Sequence, residues 1–450
     1  MMGLFRAFTM KPKDRVALWL WGGGYIFLFE RFYYFYIVPN FAYQGFAYTP
    51  GVIRTLVLVL LAFLPLLWMP THITRPSSLV LWILYLLVYV PSVVVSFHIL
   101  HLGWPIPSFF IGLLLGLFIL TWATWLPRIR LPVVKGPPSA MFWGLIGLWL
   151  GGYGFFFKAF GWRGVPGLQD IYTVRLAARE VVARQAGIFG YLLRWFGNVL
   201  NPFLLLLGLQ QKRAWLIGLA IVGQFLIFSF DATKSTFMSV PYLLGLYILF
   251  YWKRWRLPAV TLFQGSAATL LGSPLLDALL GARVAGMYVA RRVFYVPGLL
   301  TAFYYDYFST HPHWFWAHTL IGRLIGLWPP TGTSARAPGF LIAEVYFNKP
   351  SGNANVNFWA DAYANMGNAG VLVVTLLLFL LLWLYDSLSL RHTKAMAFLL
   401  LGMPLFALTN SSLLTVLLTH GWMLALLLLW LWPATRRSYG REGAHSGKSP

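Results

Sequence analysis

The sequence predicts an all-α polytopic membrane protein, and three observations carry that prediction. Of 450 residues, 59% are hydrophobic and only 10% are Asp, Glu, Lys or Arg, against about 25% in soluble domains. So little charge cannot cover a water-facing surface. Apolar runs long enough to cross a hydrocarbon core, about 20 residues each, recur twelve times. Nineteen of the 34 Lys and Arg residues fall in alternate connections between those runs or in the termini, as the positive-inside rule requires. A soluble enzyme, a disordered chain and a nucleic-acid module are excluded, although the formal net charge is +23. The chain has no cysteine, so disulfides, thiolate metal sites and cysteine nucleophiles are excluded too.

The runs lie near 16–37, 52–70, 79–97, 108–125, 141–160, 186–208, 215–230, 237–252, 257–276, 367–385, 395–410 and 415–433. The first follows a basic N-terminal stretch without a small-residue cleavage site, so it is expected to be a membrane helix rather than a removable signal. The ninth is the weakest, being interrupted by Pro258, Gly265, Gly272 and Pro274. It is kept because of charge. Alternate connections hold Arg6/Lys11/Lys13/Arg15, Arg75, Arg128/Arg130/Lys135, Lys212/Arg213, Lys253/Arg254/Arg256, Arg391/Lys394 and the tail Arg436/Arg437/Arg441/Lys448. These 19 basic residues meet only Asp14, Asp386 and Glu442. Omitting the ninth span would move the last two basic groups to the opposite side. Residues 1–434 therefore read as one transmembrane domain with both termini cytoplasmic, and 435–450 as a disordered basic cytoplasmic tail.

Fifteen basic and eight acidic residues remain for the outer side, where orientation does not call for cations. Two outer segments are more than turns, about 161–185 and about 277–366. The second, between spans nine and ten, is expected to be mainly helical. Its stretches Val293–Tyr307 and Phe315–Trp328 suggest short helices lying at the interface.

In the first segment, Arg175 and Arg179 share a helix face at i, i+4 spacing. Two guanidiniums side by side repel unless an anion joins them, and the guanidinium fork matches phosphate oxygens. Arg194 lies about 12 Å inside the sixth span by helix rise, a costly position for a cation unless it meets a polar cavity or snorkels. Lys234, in the hairpin Asp231–Thr236, is either a solvated turn residue or a further phosphate contact. The large segment carries Arg291-Arg292, then Tyr304-Tyr305-Asp306-Tyr307, His311-Pro312-His313, Arg323, Arg336 and Glu344. It closes on an amide-rich run with Asn353, Asn355, Asn357, Asp361 and Asn365. Aromatics interleaved with amides and acids suit a carbohydrate, whose faces stack on rings and whose hydroxyl pairs take amide forks. The His pairs lack nearby carboxylates in a ligand pattern, so no metal and no cofactor is expected. His98 and His101 read as interface packing. No Gly-x-Ser-x-Gly elbow is present.

The order of these segments resembles Wzy-type O-antigen (oligosaccharide repeat unit) polymerases. The likeness rests on Asp170–Arg179, Lys234-Ser235, Arg292-Val293-Phe294 with Tyr304–Phe308, and Asn355–Gly370, over about 160–370. Arg179 to Gly190 and Arg323 to Gly339 also match Arg-x10-Gly and Arg-x15-Gly spacings described for some members. The resemblance implies a GT-C-like, metal-independent glycosyltransferase of the bacterial inner membrane, active at the periplasmic face in lipopolysaccharide or surface polysaccharide synthesis. Donor and acceptor would both be undecaprenyl-pyrophosphate-linked oligosaccharides. Membrane lipids and a chain-length-regulating co-polymerase would be partners, and nucleic acid would not. Asp361 and Glu344 would be catalytic, Asp361 foremost, with Asp306 a third carboxylate candidate and His311 or His313 the fallback base. Tyr172, Arg175, Arg179, Lys234, Arg291, Arg292, Tyr305, His311, Asn355 and Asn357 would bind substrate.

An O-antigen ligase shares this layout and donor but transfers to lipid A core. A lipid-linked oligosaccharide transporter would also need cations, yet it would line a mid-membrane cavity with them and show repeat symmetry. No internal repeat is visible. A GT-C mannosyltransferase would carry acidic residues in a long first outer loop, whereas residues 39–51 are short and uncharged.

Overall fold

The computed structural model describes residues 12–132, 136–162, 164–167, 170–185, 187–319, 322, 324–328 and 336–434. Arg6, Lys11, Lys135, Arg323 and the basic tail from 435 onward lie outside the described residues, as do the side chains of Tyr172 and Lys234.

The architecture is that of an all-α polytopic membrane protein. In chain order the helices are α1 Pro12–Phe32, α2 Val52–Phe63, α3 Pro76–Ile99, α4 Ser108–Trp125 and α5 Pro138–Phe160. Then follow α6 Ile171–Arg184, α7 Ile188–Gln211, α8 Ala214–Asp231, α9 Lys234–Trp252 and α10 Val260–Leu280. Beyond them lie α11 Val296–Phe308, α12 Pro338–Phe347 and α13 Phe358–Leu388, and a set of short helices between Lys394 and Leu431. Among the described residues, seven helical segments are long and apolar enough to cross a membrane: α3, α4, α5, α7, α8, Ser235–Trp252 of α9, and Phe358–Arg391. The only sheet among them is an antiparallel pair of two-residue strands, with His72 opposite Pro258 and Ile73 opposite Leu257.

Each of the twelve apolar runs contains helix, but three details differ from the sequence expectation. The Pro-interrupted ninth run forms one helix, α10, carrying Pro274 inside it. The last two runs break into short helices at Leu400-Leu401, at Asn410-Ser411-Ser412 and at Gly421, whose φ of 84° is left-handed. Among the described residues, the π-helical segments Tyr33–Ile37, Tyr85–Tyr89, Phe196–Leu200 and Gly286–Tyr295 each end two residues before a proline: Pro39, Pro91, Pro202 and Pro297. A proline ring clashes with the carbonyl four residues back and offers no N–H. Widening the ladder by one residue removes the clash while the helix continues.

The chain divides into two compact units. Unit 1 is Met1–Leu126, Leu257–Trp383 and Leu408–Leu413; unit 2 is Pro127–Arg256, Leu384–Ala407 and Leu414–Pro450.

Within unit 1, α3 is almost wholly buried and packs against α11. A Cβ at Gly298 would lie 2.2 Å from the Pro91 carbonyl oxygen, so only glycine permits this approach. Ser92 and Thr301 hydroxyls meet at 3.0 Å beside it. Val293–Tyr307 is therefore not an interfacial helix. The helical path starts earlier, at Gly286, and Val296–Tyr304 is buried throughout, because Gly298 and Ala302 let an apolar segment close on α3. Phe315–Trp328 is not a continuous helix either: Phe315 and Trp316 adopt positive φ, and the segment opens on turns. His98, near the end of α3, is fully buried in packing, its ring stacked 4.2 Å from Tyr48 and 5.6 Å from Tyr33.

Within unit 2, α5, α7 and α8 are locked by a buried polar network. Asn201 accepts from Trp149 Nε1 at 2.8 Å and donates to Gln224 Oε1 at 2.8 Å. Gln224 then donates to the Gly197 carbonyl at 2.7 Å and to Ser239 Oγ at 2.5 Å. Every member has a partner, the condition under which such a network rigidifies a core rather than destabilising it.

Candidate functional site

Unit 2 holds a cationic cluster around the α8–α9 turn. α8 ends with Ala232 in the left-handed region, φ 49°. The Asp231 carboxylate closes the turn, accepting from Thr233 N at 2.8 Å and from Thr233 Oγ1 at 2.7 Å. Arg194 reaches the same carboxylate at 3.0 Å and donates to Thr233 Oγ1 at 3.1 Å. Asp231 is 5% exposed and Arg194 32%, so this cation spends its length in the protein and neither snorkels freely nor stays unpaired.

α6 docks onto that turn through its apolar stripe. Ile171 and Val174 pack on Phe228 and Ala232, and Ala178, four residues on, is buried. The 3.6-residue period then turns Arg175 and Arg179 outward, and both are exposed. Glu180, on the same helix, is engaged instead by Arg184 at 4.0 Å. Arg175 nonetheless sits in a packed neighbourhood. Loss of water lowers its pKa first, followed by repulsion from Arg179 and Arg194, while Asp231 pulls the other way. Arg175 thus feels two other guanidiniums, Arg179 and Arg194, and the Asp231 carboxylate. Asn198 and His420 meet 3.3 Å apart in the same unit.

Unit 1 holds a second polar region, built on a break in α13. Met366 (φ −146°) and Gly367 (φ 58°) are not helical, so the carbonyls of the preceding turn lose their intrahelical donors. The turn after His313 supplies replacements: Trp314 N donates to Ala364 O at 3.1 Å and Phe315 N to Asn365 O at 2.9 Å. Trp316 N donates to Asn365 Oδ1 at 2.8 Å. His313 lies over Gly367, where a Cβ would come within 2.9 Å of its Nε2. Its Nδ1 is buried with no protein partner.

Asp361 is one turn into this half-helix and partly buried. Asn365 Nδ2 donates to its backbone oxygen at 2.8 Å and approaches Oδ2 at 3.4 Å. Tyr304, also buried, has its phenol pKa pushed up by burial and then by the charge of Asp361. Tyr305 stacks on Phe109 at 5.4 Å and lies 5.5 Å from Tyr363, which meets His313 edge-on at 5.8 Å. Asp361 thus keeps Asn365 and Tyr304 beside it, while Phe109, Tyr305, Tyr363 and His313 form a separate ring cluster about Tyr363 of the same half-helix.

Comparison with known proteins matches the chain to no family model, no curated protein and no solved structure.

The remaining sequence candidates fall as follows. Glu344, on α12, is exposed, while two residues on Tyr346 donates to Asp306 Oδ2 at 2.5 Å. Arg291 is half-buried, hydrogen-bonded to Gln44 and lying over the Phe41 ring at 5.3 Å. Burial lowers its pKa, and its Nε has no partner. Arg292 and Asn355 are exposed. His311 stacks on Tyr307 at 3.9 Å, its Nδ1 2.9 Å from the Tyr307 carbonyl. Asn357 serves the fold instead. It is 1% exposed, accepts from Trp359 N and Ala360 N at 3.1 and 3.2 Å as the N-cap of α13, and donates to Thr301. That capping role leaves its carbonyl committed, which corrects its placement among substrate contacts.

Among the described residues, the buried acids Glu30, Asp277 and Asp386 stand outside the sequence candidates. Glu30, 3% exposed, accepts from Arg31 Nε at 2.5 Å and Tyr48 OH at 2.9 Å, with His98 Nε2 3.7 Å away. Asp277 accepts from Tyr36 OH at 2.6 Å and from the Ala285 and Gly286 amides, capping the π-helical turn. Glu30 carries a sequence signal, since an acid inside an apolar span is costly without partners. Asp277 carries none, because its partners lie eight or more residues away in sequence.

Proposed function

We propose that the chain is a GT-C-like glycosyltransferase that polymerises undecaprenyl-pyrophosphate-linked oligosaccharide repeat units at the periplasmic face of the bacterial inner membrane. The twelve apolar segments would be its spans, with α11, α12 and the start of α13 in the large periplasmic segment. The observation that carries the reading is the group of guanidiniums in unit 2, Arg175, Arg179 and Arg194 near Asp231.

In the transfer, an acceptor sugar hydroxyl bonds to the anomeric carbon of the donor glycan as the bond from that carbon to phosphate breaks. The lipid pyrophosphate leaves with the electron pair. Arg175 and Arg179, oriented by the docked α6, stabilise the charge developing on it. Within unit 1, Asp361 is the candidate base for an acceptor hydroxyl, with Asn365 and Tyr304 beside it. In unit 1, Arg292 is exposed and is a candidate substrate contact in its own right.

The test is in cells that make the polymer. Arg175→Ala and Arg292→Ala should remove the ladder of long chains while the protein still inserts at normal abundance. A normal ladder from both variants would sink the pyrophosphate role. Feeding lipid A core as acceptor separates polymerase from ligase.

A further inference from the structure

α8 and α9 lead away from the Asp231–Thr233 turn and part below it. Between them lies a cleft of about 140 Å³ lined by Ile221, Gln224, Phe225, Phe237, Val240 and Pro241. A smaller cleft adjoins it, sharing Gln224 and Val240 and reaching Leu243. Pro241 stands inside α9, where its ring disturbs the ladder and opens the space beside α8. Gln224 is the one polar side chain in the wall, and its amide is spent on Asn201, Gly197 and Ser239. The wall is therefore apolar in effect. Phe225 and Phe237, 44% and 42% exposed, stand 6.0 Å apart at its mouth.

The position relative to the charges is what gives the cleft a meaning. Phe225 precedes Asp231 by six residues and Val240 follows Lys234 by six, so both lie about 9 Å along their helices from the turn. An amphiphile with an anionic head at Arg175, Arg179 and Arg194 has its tail at that depth.

We propose that the cleft between α8 and α9 seats the head-proximal isoprenyl units of a polyprenyl pyrophosphate whose phosphates lie at the arginine cluster. This rests on the lipid-pyrophosphate reading above. Three guanidiniums against one carboxylate match the several charges of a pyrophosphate better than the single charge of a phospholipid. Branched isoprenyl methyls also fill an uneven, ring-lined cleft more fully than a straight acyl chain.

The experiment uses the full chain in nanodiscs of neutral phospholipid, with undecaprenyl pyrophosphate as the lipid probe and inorganic pyrophosphate as the head-only probe. Val240→Trp and Ile221→Trp, which fill the cleft, should each weaken lipid binding about tenfold and leave inorganic pyrophosphate binding unchanged. Equal lipid binding by wild type and both variants overturns the cleft assignment and leaves the donor reading standing. Failure of the wild type to bind undecaprenyl pyrophosphate at all sinks the donor reading. A diazirine on the isoprenyl unit next to the phosphates should label α8 or α9 of the wild type, whatever the variants do to folding. Label found only elsewhere, or displaced equally well by phosphatidylglycerol, overturns the proposal.

Discussion

In unit 1 the buried acids Glu30 and Asp277 are matched group for group, whereas in unit 2 the cations around Asp231 outnumber the acid they share. Glu30 is held by Arg31 and Tyr48, and Asp277 by Tyr36 and two backbone amides. Asp231 faces Arg194 directly and the field of Arg175 and Arg179 beyond it. A satisfied acid fixes helices to one another. A guanidinium surplus invites a further anion, because repulsion within it falls when one binds. On the proposed reading, the contrast separates groups that hold the fold from groups that meet a ligand, and substitutions can break it on either side.

The largest stability effect belongs to unit 1 packing. Gly298→Ala places a methyl against the Pro91 carbonyl, a backbone atom that cannot rotate away. It should lower unfolding stability in detergent by about 3 kcal/mol, the upper end for overpacking; a change near zero would mean that α3 and α11 are not this close. Arg194→Ala strands the Asp231 carboxylate. It should cost about 2 kcal/mol, below the range for a fully buried pair because Arg194 keeps 32% exposure. Asp231→Asn in the same background should restore part of that loss, and no restoration would contradict the pairing. Asn357→Ala removes the α13 N-cap and should cost about 1 kcal/mol, read by the same unfolding measurement. Arg175→Ala should leave stability within about 0.5 kcal/mol, as a surface change does, while removing binding of inorganic pyrophosphate. A stability loss as large as that of Arg194→Ala would place Arg175 among the structural residues.

How much of this is legible in the sequence varies with the range of the interactions. Apolar runs and charge alternation are local, so the helices are readable, including Ile171–Arg184 with its paired arginines. The spans 79–97 and 186–208 are drawn straight through Pro91 and Pro202, and the helical path does continue there, but through a π turn. A composition-based span cannot show that, because the remedy lies in the hydrogen-bond ladder. The aromatic stretch before Tyr307 reads as interfacial, since its apolarity is visible and its fit to Pro91 through Gly298 is not. Arg194 and the Asp231 hairpin each stand out in the sequence, but their pairing spans 37 residues. Asn357 resembles a sugar contact because it stands in an amide-rich run; its burial at a helix start decides otherwise. His313 owes its place to a helix break at Gly367, which sequence periodicity runs straight across.

Whether this one chain is itself a polymerase is decided by giving the purified full-length protein, and no other, an undecaprenyl-pyrophosphate-linked oligosaccharide. The expected result is a ladder of longer lipid-linked glycans with release of undecaprenyl pyrophosphate, lost in Asp361→Asn. A chain that binds the lipid yet never lengthens the glycan would contradict the assignment.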